Sequence, residues 1–221
     1  MAMKKLLIVS GCSYTDPFYR AYVNNNVNVW PSIVAKELEV DLINFAGEGC
    51  SNDWIANSIM DGVLDNSGRD IITMALWTEG YRCIPKNGYG PRREFKEEWI
   101  VEYQLRCMWR LNEFLKQRKI PIYQGHALAI PAGNWEHLNI KVGCENTHFA
   151  KNRYFNSEYF GPQKFEDNMM WVLKDEYSIP GDGHPNQKAH NWIANYFLTK
   201  YRGQIHDPVP ENKEYVEFIY D

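Results

Sequence analysis

Residues 6–15 read LLIVSGCSYT, and this stretch has two incompatible interpretations. Preceded by two lysines, it resembles a lipoprotein signal in which V-S-G-C at 9–12 would place a lipid on Cys12. It also resembles a buried strand that ends in a glycine turn and presents Ser13. A signal peptide needs an apolar core of about 7–15 residues, whereas here that core is only Leu6–Val9. We therefore predict a strand and a turn, in a protein of the cytoplasm.

Composition excludes several classes of protein. The chain has 221 residues, a net charge of −4 and no block of basic residues, so binding to nucleic acid through its phosphates is disfavoured. No apolar run approaches the roughly 20 residues that cross a bilayer, so no membrane partner is expected. The five cysteines are widely spaced and form no C-x-x-C pair. This spacing argues against a structural zinc site or a disulfide framework, and for a reducing compartment.

Short apolar segments alternate with amphipathic ones along the chain. Strands are predicted over Lys5–Ser10, Val40–Phe45, Asp70–Trp77 and Ile120–Gln124, and helices over 30–38, 52–64, 93–119 and 189–201. Such alternation predicts an α/β fold, a three-layer α/β/α sandwich with a mostly parallel, flavodoxin-like sheet of about five strands. We predict one domain over 1–221. Residues 125–180 would hold a fifth strand, a short helix near 165–173 and an irregular insertion or lid.

Several chemically active residues follow the predicted strands, whose carboxyl ends share one edge of the sheet. Ser13 follows the first strand, and Asp182 and His184 precede the last helix. These are the parts of a serine hydrolase, in which His184 takes the serine proton and Asp182 holds the imidazole. Two residues apart in an extended segment, both side chains would project to the same side. Gly49, opening a helix, and Ser13 would donate backbone N–H groups to an oxyanion.

Each of these residues also has a plainer interpretation. Ser13 and Asp182 would then be turn formers, His184 a residue at a helix start and Gly49 a loop glycine. Cys12 is better explained as buried packing than as a nucleophile.

Other polar residues near the predicted cleft have two interpretations as well. Glu79 and Arg82 would bind substrate or form a surface ion pair, and His126 follows a strand and would line the cleft. The histidines considered as metal ligands, His126, His137, His148 and His190, have no standard spacing, so no metal is expected.

Three segments together resemble the SGNH (GDSL-like) hydrolases. G-C-S-Y-T at 11–15 is similar to the family's first block, with Cys12 in place of its aspartate. N-F-A-G-E-G-C-S-N at 44–52 is similar to the second block, whose glycine donates to the oxyanion, and Gly49 fits that place best. D-G-H-P-N at 182–186 is similar to the last block, which holds the family's aspartate and histidine. By order and spacing the resemblance spans the whole chain.

The chain departs from the family pattern in two places. The third block, G-x-N-D, supplies an asparagine donor to the oxyanion, but the chain reads L-W-T-E at 76–79. Thr78 or Asn52 would replace that donor, or the oxyanion hole is weaker. The last block is D-x-H instead of D-x-x-H, a spacing that also occurs in related acyl-transfer proteins. W-T-E-G-Y-R at 77–82 resembles SGNH-like proteins of phages and marine bacteria, which fixes no substrate.

The resemblance implies cleavage or transfer of a small acyl ester, with O-acetyl groups on carbohydrate as one candidate. The partner would be a small-molecule or carbohydrate ester, and no cofactor is required. The oligomeric state stays open. The alternative, motivated by Cys12 and the missing asparagine, is a catalytically inactive SGNH-fold module that binds glycan or is virion-associated. It would use the aromatic-rich residues 125–180.

Overall fold

The computed structural model describes residues 4–78, 82, 97–127 and 177–203. The strands in these ranges are β1 Leu6–Gly11, β2 Asp41–Asn44, β3 Ile71–Trp77 and β4 Ile122–His126. The helices are α1 Arg20–Asn24, α2 Trp30–Glu37, α3 Asn52–Asp65, α4 Glu97–Gln117 and α5 Gln187–Tyr201.

The four strands form one parallel sheet in the order β2-β1-β3-β4. In β1 and β3 every residue is buried, because both strands lie inside the sheet and are covered on both faces. β2 lies at the edge and is more exposed. The α/β prediction and its flavodoxin-like strand order are confirmed. The described sheet has four strands where about five are predicted, and most of 125–180, where the fifth is predicted, lies outside the described residues.

Helices cover both faces of the sheet and make the three layers. Leu7 and Val9 of β1 point to the face covered by α2 and α5, where they join one core cluster. Leu6 and Ile8 point to the other face and join a second cluster under α3 and α4. The alternation follows from the two-residue period of a strand. A strand that is apolar at every position is therefore what this architecture requires.

The N-terminus of a helix is stabilised here either by its own N-cap side chain or by a side chain from another helix. Ser51 caps α3 by accepting a hydrogen bond from the Trp54 N–H at 3.2 Å. The residue before α2, Val29, has no capping side chain. The N–H of Trp30 instead donates to Nδ1 of His190 in α5 at 3.3 Å. The start of α2 thus depends on a residue 160 positions away.

The predicted elements differ from the observed ones in a few places. The strands and the helices over 30–38, 52–64 and 189–201 end within a few residues of the predicted limits. Helix α1 is missing from the prediction because five residues are too few to show a helical period. The predicted short helix near 165–173 and the lid lie outside the described residues. Within those residues, no helix is both long and apolar enough to cross a membrane.

Candidate active site

Ser13 lies on a tight turn directly after β1. The Thr15 N–H donates to the Cys12 carbonyl at 2.8 Å, which closes the turn. A Cβ atom on Gly11 would lie 2.2 Å from Thr15 Oγ1, so only glycine fits where the strand ends. Cys12 is fully buried in the core cluster that also contains Leu7, which confirms its expected packing role.

Side chains from two other elements hold this turn in place. The Asn44 Nδ2 group, at the end of β2, donates to the Thr15 carbonyl at 2.8 Å. The Trp30 indole N–H, from α2, donates to Thr15 Oγ1 at 3.2 Å. The backbone around Ser13 is therefore fixed from both the sheet and a helix.

Asp182 and His184 lie on a tight loop before α5. Ile179 closes this loop, since its N–H donates to the His184 carbonyl at 2.7 Å and its carbonyl accepts the Asp182 N–H at 3.1 Å. Gly181 and Gly183 have φ angles of 76° and 78°, a left-handed conformation that favours glycine. The predicted extended segment is wrong here. The two side chains meet because Gly183 bends the backbone between them and Gly181 bends it just before Asp182.

The two loops bring Ser13, His184 and Asp182 together, and we name these three residues the Ser–His–Asp cluster. His184 Nε2 lies 2.9 Å from Ser13 Oγ, and His184 Nδ1 lies 2.7 Å from Asp182 Oδ1. A neutral imidazole with its proton on Nδ1 donates to the carboxylate and leaves Nε2 to accept from the serine hydroxyl. Ser13 is only 2% exposed, whereas the side chains of His184 and Asp182 are 23% and 30% exposed.

Three tyrosines surround the imidazole of His184. The Tyr19 ring lies against it, with ring centroids 4.1 Å apart and planes 30° apart. Tyr14 and Tyr22 meet it edge-on at 5.3 Å and 6.3 Å. The Tyr19 hydroxyl also lies 3.2 Å from Asp182 Oδ2 and 3.1 Å from His184 Nδ1. The sequence-based candidates do not include these tyrosines. The available signal was the presence of three tyrosines within ten residues of Ser13.

The candidate oxyanion donors lie in different surroundings. Gly49 has a φ of 70° and lies in the turn ahead of α3, two residues before the N-cap Ser51 instead of at the helix start. The Asn52 amide pairs with the backbone of Thr78, accepting its N–H at 2.9 Å and donating to its carbonyl at 3.0 Å. Asn52 thereby fixes the carboxyl end of β3. The Thr78 hydroxyl is buried and has no hydrogen-bond partner within the described ranges.

The remaining predicted residues are only partly described. Arg82 is half-buried, and its charge acts on the thiol of Cys50, although burial dominates and raises the pKa of that thiol to about 11. His126 ends β4 opposite Trp77, and its side chain lies outside what is described. Glu79 lies outside the described residues.

Of the four histidines weighed as metal ligands, only His190 has a described side chain. His190 is buried in α5 and is bonded to the Trp30 N–H, while His137 and His148 lie outside the described residues. Among the residues with described positions, no group of three His, Cys, Asp or Glu side chains could hold a metal ion.

Several solved structures have a similar fold. Protein YXIM of Bacillus subtilis is 13% identical, the match covers 91% of this chain and 58% of that chain, and the TM-score is 0.50. The psychrotrophic esterase EstA of a Pseudoalteromonas species is 12% identical, with 91% and 100% covered and a TM-score of 0.49. A GDSL-like lipase of Bacteroides thetaiotaomicron is 11% identical, with 90% and 87% covered and a TM-score of 0.45.

No protein-family model matches the sequence, and no curated protein matches it. At identities of 11–13%, the similarity to the solved structures concerns the fold alone.

Proposed function

We propose that this protein is a serine hydrolase that cleaves a small acyl ester, or transfers its acyl group to another acceptor. The observation that carries the proposal is the Ser–His–Asp cluster, in which one imidazole contacts the serine hydroxyl at 2.9 Å and the carboxylate at 2.7 Å. This is the arrangement that activates a hydroxyl nucleophile.

In the proposed reaction, Ser13 Oγ attacks the ester carbonyl carbon while its proton moves to His184 Nε2. The tetrahedral intermediate then expels the alcohol, which takes the proton from the imidazolium, and an acyl-Ser13 ester remains. Water, or another acceptor hydroxyl, attacks this ester and loses its proton to Nε2, and Ser13 leaves with that proton. Asp182 keeps the imidazole in the required tautomer and stabilises the imidazolium at each transfer.

The negative charge of the tetrahedral oxygen would be stabilised by backbone N–H groups. We assign this role to the N–H groups of Ser13 and Gly49, since the left-handed turn at Gly49 precedes a helix N-terminus. Asn52 would support the site indirectly, through its two hydrogen bonds to the Thr78 backbone. The Thr78 hydroxyl, Arg82 and His126 stay candidates for contact with the substrate, as does Glu79.

The burial of Ser13 favours a small acyl group. With 2% of the residue exposed, a compact acetyl-sized group reaches Oγ with less displacement of neighbouring atoms than a long chain does. An O-acetyl group on a carbohydrate fits this requirement. The same burial also favours the alternative proposal, a catalytically inactive module that binds glycan or a virion partner.

Labelling with a fluorophosphonate separates the two proposals. An activated serine displaces fluoride and gains one phosphonyl group, which intact-mass analysis detects. We expect a single adduct on Ser13 of the wild type, and a loss of at least about a hundredfold in labelling rate in Ser13→Ala and His184→Ala. Ser32→Ala, which changes a serine in α2, is the matched control and should be labelled like the wild type.

Comparing a small methyl phosphonate with a long-chain phosphonate tests the size of the acyl group that the site accepts. A faster reaction of the small probe would support a small acyl substrate. If neither probe labels the folded wild type, the hydrolase proposal is wrong and the binding module is favoured. An array of acetylated and unmodified glycans would then be the appropriate measurement.

A further inference from the structure

We propose that Tyr19 is a positioning residue that holds the Asp182–His184 pair in its working orientation. The inference deepens the proposed function and rests on it. The Tyr19 phenol lies 3.2 Å from Asp182 Oδ2 and 3.4 Å from Oδ1, and its ring is tilted against the imidazole at 4.1 Å between centroids. One side chain thus contacts both the carboxylate and the flat face of the imidazole.

The chain delivers Tyr19 to this place by a turn that begins at Asp16. Asp16 Oδ1 accepts the Phe18 N–H at 2.9 Å, and the Asp16 carbonyl accepts the Tyr19 N–H at 3.3 Å. Tyr19 is the N-cap residue of α1, and its carbonyl accepts the Tyr22 N–H at 2.9 Å. The segment that carries Ser13 therefore also carries the side chain that restrains His184. Tyr19 couples the two loops independently of the serine contact.

The Asp182–His184 pair needs such a restraint because it is partly exposed. With the carboxylate 30% exposed, water competes for its oxygens and weakens the orienting hydrogen bond to the imidazole. The phenol occupies one of those acceptor sites and the ring excludes water from one imidazole face. Burial raises the pKa of Tyr19, and the nearby Asp182 charge raises it further, so the phenol stays a neutral donor.

The phenol also affects the charge at the pair. A hydrogen bond donated to Asp182 Oδ2 disperses part of the negative charge of the carboxylate and leaves Oδ1 to accept from His184 Nδ1. The other titratable groups near the pair are Glu48, whose charge acts on Tyr19, and the buried His190. The Tyr14 and Tyr22 rings complete the surroundings.

Tyr19→Phe keeps the ring and removes the hydroxyl, whereas Tyr19→Leu removes both. Tyr123→Phe is the matched control, because it makes the same change on β4, outside the Asp182–His184 pair and the three tyrosines around it. The measurement is the second-order rate of fluorophosphonate labelling from pH 5 to 9. Thermal unfolding and the downfield Nδ1 proton of His184 in the NMR spectrum are recorded on the same samples.

We expect Tyr19→Phe to react roughly tenfold more slowly, because the orienting hydrogen bond between Asp182 and His184 is then less well held. Its Nδ1 proton should exchange with water faster than in the wild type. Tyr19→Leu should lose more, and Tyr123→Phe should match the wild type in all three measurements.

Two results would overturn the inference. One is a Tyr19→Phe protein with a wild-type labelling rate and wild-type Nδ1 exchange. The other is a loss of labelling that follows a lower unfolding temperature while the Nδ1 exchange stays at the wild-type rate, because that describes a purely structural tyrosine. If the wild type itself is not labelled, the proposed function fails, and the Nδ1 exchange of Tyr19→Phe still decides whether the phenol holds the pair.

Discussion

At the scale of single residues, Asp182 is the most exposed member of the Ser–His–Asp cluster, and it has the strictest chemical requirement. In the proposed mechanism it accepts a hydrogen bond from His184 Nδ1, which lies 2.7 Å away, while its other oxygen accepts one from Tyr19 at 3.2 Å. A carboxylate does both. An amide of the same shape offers only one acceptor oxygen and would favour the wrong imidazole tautomer.

Asp182→Asn should therefore lower the labelling rate of Ser13 by about a hundredfold or more, while the unfolding temperature changes little. The rate is measured with the methyl phosphonate at pH 7.5. Asp61→Asn, an exposed carboxylate on α3, is the control for the change in net charge. Equal rates in Asp182→Asn and wild type would show that the carboxylate does not orient the imidazole.

The sequence predicts the members of the cluster better than it predicts their surroundings. Ser13, Asp182 and His184 follow from strand ends and motif order, and they lie within hydrogen-bond distance of one another. Their chemical roles stay predictions. The contacts of Tyr19 depend on how two loops 163 residues apart pack against each other, which no local pattern records. The pairing of Asn52 with the Thr78 backbone could not be predicted from the sequence for the same reason.

At the scale of elements, helix α2 begins without a capping side chain of its own and depends on α5. The Trp30 N–H donates to Nδ1 of His190, so the neutral imidazole carries its proton on Nε2. Burial lowers the pKa of His190 to about 3, with a smaller effect from His184. Protonating His190 would place an uncompensated charge in the core and remove the acceptor for α2. Neutral His190 is thus a requirement of the folded state.

Stability should fall as the pH is lowered below the ordinary histidine range. Between a pKa of 6.5 unfolded and about 3 folded, the unfolded chain binds more protons at this site, so the free energy of unfolding increases with pH. From pH 7.5 to 5.0 the loss due to His190 is about 2 kcal/mol. Urea unfolding of wild type and His190→Asn at both pH values measures it. The variant should be less stable at pH 7.5 and show a smaller pH effect, whereas equal pH effects would contradict the assignment.

The sequence predicts those helices and strands that are long enough to show a periodic pattern of apolar residues. The helices α3 and α5 and the strands β1 and β3 follow from their apolar patterns and lie close to the expected limits. Helix α1 has five residues and a single buried side chain, Tyr22, so it shows no pattern. The D-x-H segment was predicted to be extended, but the positive φ angles of Gly181 and Gly183 give a turn.

At the scale of the whole molecule, β1 is the strand on which the described architecture depends. It pairs with β2 on one side and β3 on the other, and its side chains contribute to the cores on both faces. The lipoprotein interpretation of 6–15 would remove this strand on cleavage before Cys12. No other described strand replaces it, since β2 and β3 are joined only through it.

A chain that begins at Cys12 should therefore fail to fold. We expect it to lack a cooperative thermal transition, because the loss of Leu6–Gly11 removes six buried residues and unpairs two strands. A chain that begins at Lys4 is the control and should unfold cooperatively, with circular dichroism as the measurement. A stable fold in the chain from Cys12 would show that the sheet tolerates the loss of its central strand.

The long separation between the serine and its imidazole has a consequence for protein synthesis. Ser13 is translated before His184, which is added 171 residues later, after roughly 10–30 s at ordinary elongation rates. A ribosome-bound chain therefore carries the proposed nucleophile over this interval without the proposed base. Under the proposed mechanism, a product stalled between these two residues would not be labelled at Ser13.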